Sequence, residues 1–181
     1  MARLQIKVNT MNTKALLLFW LISPLLLLSA CKKEIKTTFS LNNVALLAEG
    51  PLTEGSNTAQ GTVKEALAAF LKEHNLTPEQ ITNVKLTKAV VHTPDSVGFD
   101  LVKSITLQLA SDDAEMVEAG VVNPIPAGAK MATLQLPAEP KNMLYTLKQN
   151  TFTLVADLDI KQDTSMNFPL TGDLEFEVTH H

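Results

Sequence analysis

Phe152, Leu154, Ala156, Leu158 and Ile160 alternate with Thr153, Asp157 and Asp159, and the same period of two returns where Leu174, Phe176 and Val178 alternate with Glu175, Glu177 and Thr179. Successive side chains of a strand leave the backbone on opposite faces, so each segment offers one apolar and one wet face. Burial on one side only is the habit of antiparallel sheets. Ile105, Leu107 and Leu109 repeat the pattern against Thr106 and Gln108, within a strand predicted over 99–110. Further strands are predicted over 39–47, 84–92 and 131–136, each fenced by glycine or proline turns. Several short strands separated by turn signals predict a mainly β, antiparallel β-sandwich.

One helical insertion is expected near the start. Val63, Leu67, Phe70 and Leu71 fall at i, i+4, i+7 and i+8, one apolar stripe, which predicts a helix over 63–74 that packs on the core. The polar stretch 53–61 before it reads as a loop. Thr77-Pro78-Glu79-Gln80 carries a cap, a proline at the first helical position and a glutamine three after the cap, the marks of a single short turn.

Leu28-Ser29-Ala30-Cys31 follows an apolar run from Ala15 to Leu28 and precedes Lys32-Lys33. Leu-Ser-Ala-Cys resembles the lipobox of bacterial lipoproteins. The resemblance implies cleavage between Ala30 and Cys31, a diacylglyceryl thioether on Cys31 and an N-acyl chain on the new terminus, with no other cofactor. Lys14 supplies the positive region of such a signal, which makes Met11 a natural start and residues 1–10 an extension. The apolar run of 14 residues, interrupted by Pro24, is short of the roughly 20 needed to span a bilayer. The expected organisation is a signal peptide over 1–30, a lipid-anchored tether over 31–38 reaching about 30 Å at most, and a sandwich domain over 39–181. Lys32 after the cysteine, by resemblance to lipoprotein sorting rules, implies the outer membrane. Lys32, Lys33 and Lys36 lie where headgroups would be and each could add up to about 1 kcal/mol on an anionic leaflet. Two or more acyl chains anchor stably where one does not.

A second resemblance rests on three stretches: Ile81-Thr82-Asn83-Val84-Lys85-Leu86-Thr87, Gly98-Phe99-Asp100-Leu101-Val102-Lys103-Ser104-Ile105, and 152–159. They look like small bacterial lipoproteins with an immunoglobulin-like sandwich and, to a lesser degree, the late-embryogenesis-abundant sandwich domain. The similarity covers about two-thirds of the sequence after Cys31. It implies an immunoglobulin-like fold and brings no catalytic residues.

Composition narrows the function classes. All 19 acidic residues follow Cys31, against 12 lysines and no arginine. Such a domain lacks both the basic footprint and the planar guanidinium forks of a nucleic-acid binder. The only tryptophan, Trp20, lies in the signal, leaving Tyr145 and six phenylalanines, a thin set for sugar platforms. Cys31 is the only cysteine, so no disulfide forms within the chain and stability must come from the core.

Five features of the sequence bear on chemistry or contact. His92-Thr93-Pro94-Asp95-Ser96 brings histidine, aspartate and serine to a strand end, but no Gly-x-Ser-x-Gly accompanies Ser96, and the segment reads as a turn with Asp95 and Ser96 bonding local backbone. Asp112, Asp113, Glu115 and Glu118 do not fit a calcium loop, because counting from Asp112 puts Met116 at position five and Asn123 at twelve. They read as a helix start capped by Ser111. Pro124-Ile125-Pro126 reads as a stiff contact loop with an exposed isoleucine, and His180-His181 as a tail. The remaining feature is an acidic face. Should the last two strands pair as neighbours, Asp157, Asp159, Asp173, Glu175 and Glu177 share one wet surface beside Lys161, able to dock a basic partner or a loosely held divalent cation.

These observations predict a non-enzymatic envelope lipoprotein, an accessory or structural module that binds another envelope protein, its membrane contact made through the anchor. The alternative is a carrier or sensor sandwich that opens to a lipid or other apolar ligand. An enzyme is the poorest fit.

Overall fold

The computed structural model describes residues 33–181; the expected signal peptide and Cys31 lie outside the described residues. Eight strands carry the fold: β1 (Ile35–Ala48), β2 (Gly55–Lys64), β3 (Ile81–His92), β4 (Val102–Ser111), β5 (Ala114–Val122), β6 (Met131–Thr133), β7 (Thr151–Ile160) and β8 (Phe168–His180). Two short helices, α1 (Ala68–Glu73) and α2 (Leu144–Leu147), and a 3-10 turn at Pro78–Gln80 complete it. Every pairing is antiparallel, in the order β5-β4-β7-β2-β1-β8-β3-β6.

The sheet turns a corner between β1 and β2, whose registered contact is Leu47 with Gln60. A Cβ on Gly61 would strike the Ala45 carbonyl there, so only glycine lets the two backbones cross this closely. The layers β6-β3-β8-β1 and β2-β7-β4-β5 then face each other. Leu154 of β7 puts its Cδ2 3.0 Å from where a Cβ would sit on Gly172 of β8, so side chains of opposite layers meet across the interior. At the far corner Gln135, just past β6, exchanges both backbone hydrogen bonds with Val121 of β5, at 2.8 and 2.9 Å. The result is the expected antiparallel sandwich, stitched along both sides.

The alternation places the core where it should. Leu154, Ala156, Leu158 and Ile160 of β7 and Leu170, Leu174, Phe176 and Val178 of β8 are all buried. Phe39 stacks on Phe176, its centroid 5.7 Å away, and meets the edge of Phe70 at the same distance. Phe70 is thus the residue by which α1 closes one end of the sandwich.

Several expectations need correction. The helix over 63–74 shrinks to α1, because β2 continues to Lys64 and Val63 pairs with Phe152. Glu65, at φ 48°, then turns the chain, and its N–H donates to the Asn150 carbonyl. The polar stretch 53–61, expected as a loop, is mostly strand. The ten residues of β2 pair in unbroken register with β7, so the partner overrides a weak local preference. Its inward Ala59 and Gly61 are small because β1 crosses just above. The acidic cluster begins no helix: Ser111 pairs with Ala114 across a two-residue turn of Asp112 and Asp113, and β5, not foreseen, follows. Ile125 is buried, 6% exposed, with its N–H on the Lys103 carbonyl, so it is no exposed contact residue. His180 belongs to β8, buried with Nε2 3.1 Å from Thr37 Oγ1, rather than to a tail. Finally, β1 starts at Ile35 rather than Phe39, which takes four residues of the expected tether into the sheet.

Candidate functional site

The outer face of the β1-β8-β3-β6 layer carries a depression of about 210 Å³. Its rim holds Ser40 and Asn42 of β1, Lys88 and His92 of β3, Met131 of β6, and Asp173 and Glu175 of β8; Val90 lies at its floor. Local sequence explains the hollow. β1 carries one extra residue between Leu41 and Val44, and β3 carries another between Leu86 and Lys88, so both neighbours of β8 bulge beside Asp173 and Glu175. Asn43 sits at the β1 bulge with φ 55°, a conformation asparagine tolerates better than most residues. This turns its N–H onto Asp173 Oδ1 at 2.7 Å.

The other carboxylate oxygen, Asp173 Oδ2, lies 2.9 Å from His92 Nε2. His92 faces Thr171 in register, so Asp173 reaches it diagonally, two residues along its strand. Both side chains are about one-third exposed, at 35% and 34%. The imidazole is therefore oriented by a carboxylate that is itself held by the β1 bulge. Lys88 stands opposite Glu175 in register, which balances the charge of the hollow. Met131, 59% exposed, supplies an apolar edge. Acid, base, amide, hydroxyl and thioether thus surround one shallow depression. Among the described residues no group of three His, Cys, Asp or Glu side chains could hold a metal ion.

The expected acidic face does not assemble. β2 and β1 separate β7 from β8, and because both strands turn their even-numbered residues inward, their odd-numbered acids lie on opposite outer faces. Asp157 accepts from Thr58 Oγ1 at 3.1 Å and Asp159 pairs with Lys103 at 3.0 Å. On the other layer Glu177 binds Lys36 at 2.9 Å, a contact that raises the Lys36 pKa above its ordinary value. Lys161 is turned elsewhere, its Nζ donating to the Asp100 carbonyl at 2.8 Å. Of the five acids, Asp173 and Glu175 line the depression.

The His92–Ser96 segment is a turn, with Val97 N–H on the Pro94 carbonyl at 2.9 Å. Asp95 reaches Lys130 at 3.1 Å rather than local backbone. Sequence reasoning missed the partnership of His92 with Asp173, which lie 81 residues apart. The available signal was Asn42-Asn43 in mid-strand, a pair that favours bulges over ladders. Cys31, with Leu28, Ser29 and Ala30, lies outside the described residues.

No family model matches this chain, and no curated protein does. Among solved structures it is similar to a chain of the infectious bursal disease virus Gx strain, at 14% identity and a TM-score of 0.38, covering 83% of this chain and 33% of that one. It is also similar to a carbohydrate-binding module of the beta-sandwich superfamily, at 11% identity and TM-score 0.32, covering 76% of this chain and 54% of the other. FLHE is a third, at 11% identity and TM-score 0.25, covering 82% and 98%. This chain thus spans about a third and about half of the first two.

Proposed function

We propose that this chain is an envelope lipoprotein, anchored to the outer membrane by a diacylglycerol and an N-acyl chain on Cys31, whose sandwich is a non-enzymatic accessory module that binds another envelope protein. The single observation that carries the anchor is Leu28-Ser29-Ala30-Cys31 behind an apolar run, with the first strand beginning only four residues later. The contact surface in this reading is the outer face of the β1-β8-β3-β6 layer. Its mixed charges set register and on-rate, while Val90 at the floor and Met131 at the edge supply apolar contact.

The interior favours this reading over a carrier of apolar ligands. Phe176, Ile105, Leu107, Leu109, Leu154 and Ile160 are fully buried, and the layers approach so closely at Gly172 that a Cβ there would lie 3.0 Å from Leu154 Cδ2. A ligand would have to displace these side chains.

The test is co-purification from native membranes, comparing wild type with Cys31→Ala and with a Lys88→Glu/Met131→Asp double variant, with bound proteins read by mass spectrometry. The expected result is a stoichiometric partner with wild type, lost with the surface variant. A lipid or other small ligand retained by the delipidated domain in a native mass spectrum, with no protein partner, would overturn the binding-module reading in favour of the carrier.

A further inference from the structure

Resting on the lipid-anchor reading above, we infer that one particular end of the sandwich lies against the headgroups of the membrane that holds the acyl chains, oriented by a short tether rather than by charge. β1 begins, β8 ends and β3 begins at this end, where Ile35, His180 and Ile81 are in register. The β4–β5 turn at Asp112–Asp113 and helix α1 lie at the same end, because β2 and β4 both pair with β7 there, through Lys64, Thr151, Thr153 and Ala110. The opposite end carries Ala48, Phe168 and the 94–99 turn that follows His92.

The argument is one of length. Three residues separate Cys31 from Ile35, so the first hydrogen-bonded residue of the sheet stands within about 14 Å of the modified cysteine. β1, at 14 residues, is about 45 Å long. A tether a third of the strand's length cannot let the domain turn end over end. Ile35, 48% exposed, is the apolar residue nearest the anchor.

Charge does not supply the orientation. Lys36, expected to face headgroups, is already bonded to Glu177 at 2.9 Å. Lys32 and Lys33 are followed by Glu34, and Asp112 and Asp113 of the β4–β5 turn offset the two lysines. The near end is therefore no basic patch, and anionic lipid gains little from it. The depression at His92 and Asp173 lies toward the far half of its layer, open to a partner from the side.

The experiment uses the lipidated full chain in phosphatidylcholine vesicles. With its only cysteine blocked by the thioether, Asp112→Cys, Glu73→Cys and Ser96→Cys each introduce a single free thiol for a fluorophore, quenched by a headgroup nitroxide lipid. Several-fold stronger quenching at Asp112 and Glu73 than at Ser96 is expected, unchanged by adding phosphatidylglycerol. Equal quenching at the three sites, or stronger quenching at Ser96, would overturn the inference while leaving the anchor intact. A spacer of about twenty Gly/Ser residues between Lys33 and Glu34 should abolish the difference; a difference that survives it, or that grows with phosphatidylglycerol, overturns the tether account. Mass spectrometry of the purified chain reads the anchor separately, and an unmodified Cys31 overturns the reading on which the inference rests.

Discussion

β7 and β8 read almost alike in sequence, each setting apolar residues inward and carboxylates outward, yet it is β8 that borders the depression at His92. The difference lies in their neighbours. β2 pairs with β7 through ten residues without a register fault and β4 bulges beside it once, at Lys103, whose amine bonds Asp159, whereas both partners of β8 bulge within two residues of Asp173 or Glu175. Along the unbroken ladder with β2, Asp157 accepts from Thr58, and at the single bulge of β4 the bulged Lys103 pairs with Asp159. A bulge opens the surface and re-aims what flanks it. Bulges on both flanks of one strand, rather than acidity, make the candidate site.

The inner faces of the two strands offer the largest test of this comparison. Phe176→Ala on β8 and Leu158→Ala on β7 should each cost about 3–5 kcal/mol by urea denaturation, with little change in slope, because both residues are at most 1% exposed. A markedly smaller loss on one strand would show that the inner faces are not equivalent.

The bulge comes next. Asn43→Val should cost about 1–2 kcal/mol, since a β-branched residue resists φ 55°, while Asn43→Gly should be close to neutral. Equal losses from both would mean that the backbone conformation is not what holds Asp173.

The outward acids should matter less. Double-mutant cycles for His92 with Asp173 and for Lys103 with Asp159 should each give about 0.2–1 kcal/mol of coupling. High salt should erase the Lys103 coupling. The Asp173 side chain, still bonded to Asn43 N–H, should keep its position in a crystal structure of His92→Ala.

The smallest effect is in the turn before β3. The Thr77 hydroxyl bonds the Glu79 carboxylate and, with the backbone N–H of Glu79, holds its pKa below the ordinary value. A carboxyl depressed on folding stabilises above its unfolded pKa and loses that contribution as pH falls through the folded one. Titration by NMR should therefore move Glu79 back up in Thr77→Ala, with a change in acid stability at the edge of detection.

Much of the fold was legible because its signals are local. The alternation in β7, β8 and β4 gave those strands and their inner faces directly, and Thr77-Pro78-Glu79-Gln80 gave its turn, where Thr77 N–H donates to Gln80 Oε1 at 2.7 Å. β2 was not legible: Gly55-Ser56-Asn57-Thr58 is a poor strand former, and only its ten-residue ladder with β7 makes it one. The stripe of Val63, Leu67, Phe70 and Leu71 misled because two elements share it. Val63 closes a strand and Phe70 begins a cap, and both reach one core from different directions.

Local sequence encodes the inner faces of β4, β7 and β8, their antiparallel habit, and the Leu-Ser-Ala-Cys pattern on which the anchor reading rests, since each follows from residues a few positions apart. Strand order was decided by tertiary structure alone, and with it whether five carboxylates share a face. Pairing partners are chosen by the fit of whole faces across the core, and no period within one strand encodes its neighbour. His92 and Asp173 meet for that reason, 81 residues apart in the chain and joined beside two bulges.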